Sequence, residues 1–250
     1  MARIPIALQL YSIRKDLEED LPGTLEAVAR MGYEGVEFAG YYGRTAEELR
    51  ELLDRFGLRC AGTHTRIDTL SPENLAETIR FNKVLGNKFL IVPSLPAVHS
   101  NSRQAWLDAA AQFNDIADRV APQGMEVGYH NHFVEFQPLE GELPMDTFFG
   151  NTRNDVVMQL DLGNAMHGGG RPIDFLVKYP GRSRTIHLKE YSSGYDKALI
   201  GEGEVDWQEV FRLCEEQGVT EWYIVEQENY ALPPLECVDR CLQNLRAMGK

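Results

Sequence analysis

The chain lacks the features that mark a membrane, nucleic-acid or disulfide-built protein. No apolar run approaches the roughly 18–20 residues that a spanning helix needs. The opening "MARIPIALQLYSIR" has no apolar region followed by a small-residue cleavage site, so it reads as a first strand and not as an export signal. Basic residues are few, 25 Lys and Arg against 38 Asp and Glu, and the net charge of −13 argues against a nucleic-acid backbone or an anionic membrane as partner. Cysteine is sparse and forms no zinc-type pairing. Cys60 and Cys214 stand alone, while Cys237 and Cys241 lie four apart on an expected helix, where they read as core packing; a reducing cytoplasm fits. The glycine-rich turn that opens a dinucleotide-binding sheet is missing from "LQLYSIRKD". No G-x-S-x-G elbow accompanies "HGGG" at 167–170, which is therefore expected to be a flexible loop. The acidic "GEG" is too short for a nucleotide loop.

What the chain does have is alternation. Short β-branched or apolar runs occur at 4–10, 35–38, 59–64, 89–92, 126–130, 156–160, 185–188 and 222–225, with segments of helical period between them. Leu49, Leu52, Leu53 and Phe56 share one helix face, as do Trp106, Ala110, Phe113, Ala117 and Val120. Thr45 with Glu48 forms a capping-box pattern, Asp206 with Glu209 resembles one, and Ser71-Pro72 reads as a helix start. The fifth helix has little room, between Pro144 and Asn151. Eight β/α units in 250 residues, with no linker or repeat, predict an α/β fold, a single-domain (β/α)8 TIM barrel over residues 1–250. An open doubly wound sheet is the alternative.

Barrel chemistry gathers at the C-terminal strand ends. There strand 6 delivers Asp161, strand 7 His187 and then Lys189, and strand 8 Glu226 and then Glu228. Strand 5 runs into "YHNHFVEF", with His130, His132 and Glu135; strand 3 ends near His64, strand 2 carries Glu37, and strand 1 carries Gln9 and Tyr11. Period-two alternation puts Asp161, Gln159 and Val157 on one face, Thr185, His187 and Lys189 on another, and Ile224, Glu226 and Glu228 on a third, each opposite the helix-facing apolar residues. Alone, Asp161 in "DLGN" would be an N-cap and His187 a core histidine. Together, carboxylates meeting at one barrel mouth repel unless a cation sits among them, and a neutral histidine completes an O/N ligand set.

These segments taken in order, "LQLYSIR", "GYEGVEF", "YHNHFVEF", "QLDLGNA", "IHLKE", "GEGEVDW" and "YIVEQE", resemble the sugar phosphate isomerase/epimerase family of xylose isomerase-like TIM barrels, which includes ketose 3-epimerases and inosose dehydratase. The resemblance implies one divalent cation per chain, held by Glu, Asp, His and Glu from strands 5 to 8. Carried over, the last three are Asp161, His187 and Glu226; Glu135 is the strand-5 choice, with His130 as the alternative. Manganese is the first choice of ion, with Co, Mg, Zn or Fe open.

The implied chemistry is enolisation of a free sugar or keto-sugar through an enediolate, with Glu226 or Glu135 as base, Lys189 donating to the oxyanion and His130 relaying protons. His64, His132, Glu37, Gln9 and Glu228 are expected substrate contacts. Reprotonation gives isomerisation or epimerisation; loss of a β-substituent gives a lyase, inosose dehydratase-like, on a keto-polyol or 3-keto-glycoside. A phosphorylated substrate is disfavoured, since "IGEGEVD" is acidic and Arg182 and Arg184 precede strand 7 at the wrong end. The expected partner is a small carbohydrate, with no nucleic acid and no membrane, and a homo-oligomer is open. An abasic-DNA endonuclease fits poorly with the acidic charge; a non-catalytic sugar-binding barrel is the rival from another class.

Overall fold

Each alternating run becomes a strand of one closed parallel sheet in the computed structural model, which describes residues 3–250. The strands are β1 (Ile6–Gln9), β2 (Gly35–Phe38), β3 (Arg59–His64), β4 (Phe89–Val92), β5 (Glu126–His130), β6 (Val157–Asp161), β7 (Thr185–Leu188) and β8 (Trp222–Val225). They pair in chain order, and β8 closes on β1. Two bounds differ from expectation. β1 is shorter than 4–10, and β6 runs on to include Asp161, whose Cα is the register partner of His187.

The helices are α1 (Arg14–Glu19), α2 (Leu21–Met31), α3 (Ala46–Phe56), α4 (Leu75–Leu85) and α5 (Arg103–Val120), then α6 (Pro144–Phe149), α7 (Leu162–His167), α8 (Pro172–Lys178), α9 (Trp207–Gln217) and α10 (Pro234–Ala247). The Thr45/Glu48 capping box starts α3, and Asp206 accepts from Glu209 N at 3.1 Å to start α9. Ser71-Pro72 does not start α4, which begins at Leu75. The Ser71 carbonyl instead accepts from Asn74 and Leu75 N–H, so the proline lies in the turn that precedes the helix. "HGGG" is an ordered helix end, because Gly168, Gly169 and Gly170 N–H donate to the carbonyls of Asn164, Met166 and Ala165. The four cysteines are free and buried, and no helix among the described residues is long and apolar enough to cross a membrane.

The strands divide their side chains as the alternation predicts. Met158, Leu160, Ile186, Leu188, Tyr223 and Val225 face the helices and join the outer core, where Trp106, Ala110, Phe113, Ala117 and Val120 of α5 are also buried. Each large apolar side chain so buried contributes about 2 kcal/mol. Inside the barrel, Ala7, Ala61, Phe89, Ile91, Val157, Trp222 and Ile224 form a separate apolar plug. Above the plug, toward the C-terminal strand ends, sits a fully buried polar layer of Gln9, Glu37, Gln159, Thr185 and His187. A slip in the β2–β3 register between Val36 and Glu37 sets Glu37 opposite Gly62. A Cβ at Gly62 would lie 2.5 Å from Glu37 Oε1, so glycine makes room for that carboxylate.

Candidate metal centre

The polar layer orients the site above it. Glu37 Oε2 accepts from Gln9 Nε2 at 2.7 Å and from His187 Nε2 at 2.6 Å, while Oε1 accepts from Gln159 Nε2 at 2.7 Å. Burial alone would raise the Glu37 carboxyl, but the facing His64 and His187 imidazoles hold it well below the usual carboxylate range. A carboxylate can only accept, so His187 Nε2 carries a proton and Nδ1 is the nitrogen turned toward the mouth. Glu37 and Gln9 are therefore not where sequence reasoning put them. Both are fully buried beneath the mouth and away from the cavity: Glu37 contacts His187, and Gln9 contacts Glu37 and His64.

At the mouth, His187 Nδ1 lies 2.6 Å from Glu226 Oε2 and 3.8 Å from Asp161 Oδ2. One donor atom each from His130, Asp161, His187 and Glu226 falls within 4.8 Å of the other three, and His64 forms an overlapping group with His130 and His187. Asp161 Oδ1 accepts from Asn164 N at 2.6 Å and so caps α7, while Oδ2 is buried without a partner. Asp161 is thus both the N-cap that its local sequence suggests and a bearer of a free, inward oxygen. His130 Nδ1 is buried without a partner as well. Two orphaned buried acceptors in one group of two carboxylates and two imidazoles fit a divalent cation, which the donor chemistry and the formal charge both suit.

Without an ion the electrostatics keep part of this set protonated, so that a bound cation would displace protons. Burial pushes the Asp161 carboxyl up to about 7, with Lys189 opposing and Glu226 adding to the rise. Burial would lower His187, but Glu37 and Glu226 together hold it at about 10, with a carboxylate accepting from each ring nitrogen, and a cation at Nδ1 would take the place of that proton. Burial, then the charges of His187 and His64, drives His130 well below the ordinary imidazole value and keeps it neutral, as a ligand must be. Burial would raise Glu226, yet Lys189 and His187 hold it well below its ordinary value.

Glu135, expected as the strand-5 ligand and a base, is not in this group. It lies beyond β5 on a short turn, where Oε1 accepts from the Tyr129 hydroxyl at 2.6 Å and Oε2 from His132 N at 2.7 Å. His130, the alternative, takes the place in the cluster because it ends β5 on the inward parity, in register with Gln159. Lys189 pairs with Glu228 and donates to Asn164 Oδ1 at 3.1 Å. A cavity of about 630 Å³ covers the cluster; His64, His130, His132, Glu226 and Glu228 reach it, and Tyr11, Tyr41 and Phe81 form its far wall.

Sequence reasoning missed two residues. Asn131 pairs with the backbone of Asp161 in both directions, accepting from Asp161 N at 2.9 Å and donating to Asp161 O at 3.1 Å, so its side chain prolongs the β5–β6 ladder. Glu190, buried at the end of β7, accepts from Tyr191, Gly201 and Val205 N–H and from Trp207 Nε1, which fastens the "GEGEVDW" connection to the barrel. Neither residue has a periodic signal. Polarity beside an expected ligand strand was the only cue.

Comparison with known proteins agrees with the geometry. Residues 25–248 match the family described as Xylose isomerase-like TIM barrel. An inosose dehydratase from Serratia proteamaculans is 25% identical over 240 residues, 80% of this chain and 80% of its own. One from Clostridium botulinum is 22% identical over 84% of this chain and 83% of its own. A solved sugar phosphate isomerase/epimerase from Parabacteroides distasonis superposes with a TM-score of 0.82 and 25% identity, over 99% of this chain and 95% of that one. These relatives carry the names of enzymes that act on sugars or related polyols. On the match, the barrel and the residues at its mouth, the chain belongs to the xylose isomerase-like TIM-barrel family.

Proposed function

We propose that the protein is a divalent-metal-dependent enzyme that enolises a non-phosphorylated keto-polyol or keto-sugar, with loss of water as the favoured outcome. His130, Asp161, His187 and Glu226 would hold the ion. Two imidazoles among four ligands favour manganese, iron, cobalt or zinc over magnesium, and manganese is the ion to load first. A cation bound there supplies Lewis-acid polarisation of a carbonyl and its neighbouring hydroxyl.

The chain's own residues would do the rest. Glu226 reaches the cavity and is placed to take the proton α to the carbonyl. His64 and His132 line the same cavity as contacts for hydroxyls. Lys189, already paired with Glu228, would hold that carboxylate in place and add positive potential beside Glu226. Glu37, through His187 Nε2, would keep Nδ1 turned toward the ion.

One observation carries the choice of outcome, the commitment of Glu135 to Tyr129 and His132. Epimerisation by two opposed carboxylates needs a second free one across from Glu226, and strand 5 presents a histidine there. Elimination needs only one carboxylate, which takes the α proton and returns it to the departing β-hydroxyl, so that water leaves. The dehydratase names of the sequence relatives point the same way. Epimerisation remains the second reading, favoured by the solved isomerase/epimerase. A phosphate-free substrate is supported by Arg66, the one arginine on the cavity wall, whose guanidinium is engaged by Asp68 at 3.0 and 2.9 Å.

The test is incubation of manganese-loaded protein in D₂O with inosose, free ketoses and 3-keto-sugars, followed by NMR and mass spectrometry. Deuterium is expected at the α carbon of recovered substrate, and the product, lighter by one water, is expected to carry it at the former β carbon, where the enol left by elimination is reprotonated. A product of unchanged mass and inverted carbon selects epimerisation instead, and no exchange in any compound sinks the enolising reading. Asn131→Ala is expected to weaken manganese binding roughly tenfold, because the Asp161 backbone loses both of its side-chain partners. Parental affinity in titration calorimetry would show that the strand ladder alone suffices.

A further inference from the structure

A second groove, of about 570 Å³, lies beside the cavity, between the segments that follow β4 and β5. Ser94 and His132 line both spaces, so the two are neighbours across a shared wall. The second is built differently. Leu95, Trp106, Phe133, Val134 and Leu139 make its lining largely apolar. Phe133 and Val134 stay 41% and 45% exposed, although few large apolar side chains of this protein remain outside. Glu135, the acid on the groove wall, has both oxygens taken by Tyr129 and His132.

We infer that this groove receives an apolar or aromatic substituent on the same substrate whose polyol part sits over the cation group. The inference rests on the enolising reading of the neighbouring cavity and names the substrate class more narrowly, as a keto-sugar carrying an apolar appendage. A bare polyol leaves the exposed Phe133 and Val134 faces in water, whereas an aryl or alkyl group covers them. His132, on the shared wall, then lies at the junction of the two parts.

Titration calorimetry on the manganese-loaded full chain tests this with two unreactive probes, glucose and 4-nitrophenyl glucoside. The aryl glucoside is expected to bind at least about tenfold more tightly. Ala97→Trp, on an exposed turn of the groove wall, should cut that advantage below about twofold by filling the space, with glucose affinity unchanged. Equal affinities in the parent, equal weakening of both probes by Ala97→Trp, or no binding of either probe overturns the inference. Because neither probe reacts, the result is independent of deuterium exchange. An aryl preference that survives failed exchange keeps the groove and removes only the chemistry assigned to its neighbour.

Discussion

Asp161→Asn is expected to leave a folded barrel that neither binds manganese with parental affinity nor turns over substrate, with kcat/KM down about a thousandfold, or about 4 kcal/mol of transition-state stabilisation. The substitution separates two jobs. Asparagine can still accept from Asn164 N and cap α7 through Oδ1, as the aspartate does. The orphaned Oδ2 becomes an N–H₂ group that cannot ligate a cation. Stability should move the other way. Burial raises the folded-state carboxyl to about 7, above an unfolded value of about 3.9, so the stability that its protonated form contributes is full below about pH 4 and is lost as the pH rises through 7. At pH 8 without metal, the asparagine variant should therefore melt no lower than the parent, while the rise in Tm that manganese gives the parent disappears. Melting curves with and without manganese, together with metal analysis, check both halves. A variant with a parental manganese response removes Asp161 from the ligand set.

Arg182→Met should cost about 3 kcal/mol of folding stability with kcat of the folded fraction unchanged. Arg182 stands just before β7, at the end of the barrel away from the site, and is only 3% exposed. Its guanidinium has no carboxylate partner. It donates instead to the carbonyls of Phe149, Arg153 and Val156 and to Thr152 Oγ1, stitching the connection from α6 to β6. Burial lowers it only to about 10, so it is charged at neutral pH. Methionine fills similar space but leaves those carbonyls unanswered away from water, and lysine, without the planar fork, should recover only part of the loss. Urea titration gives the number. A Met variant within about 1 kcal/mol of the parent would mean that water or the loop itself satisfies the carbonyls.

The pattern of what was legible follows from where periodicity holds. Inside the strands alternation decides which side chain faces which way, so Val157, Gln159 and Asp161 fall on one face and Met158 and Leu160 on the other. Past the strand ends it has no authority. Glu135 lies on a short turn whose direction no pattern in "YHNHFVEF" sets, whereas His130 is still within β5, in register with Gln159. Glu37 was visible as an inward residue but not as a buried one, because depth along the barrel depends on the β2–β3 slip and on Gly62. Ser71-Pro72 carried a valid helix-start signal, overridden by a turn that uses the Ser71 carbonyl itself. Asn131 and Glu190 act on backbone groups of other segments, which residue spacing does not encode.

The fastening of the connection after β7 to Glu190 divides the rim into unequal halves. That stretch has no regular structure of its own before α9, yet three main-chain N–H groups and one indole converge on a single buried carboxylate, so moving it means breaking them together. A hinge is therefore ill placed on that side. Closure around a guest is expected over the opposite shore, where the segments after β1 to β5 carry the aromatic wall and the apolar rim. With one half fastened, variation in what the barrel accepts can accumulate on the other without disturbing the cation group.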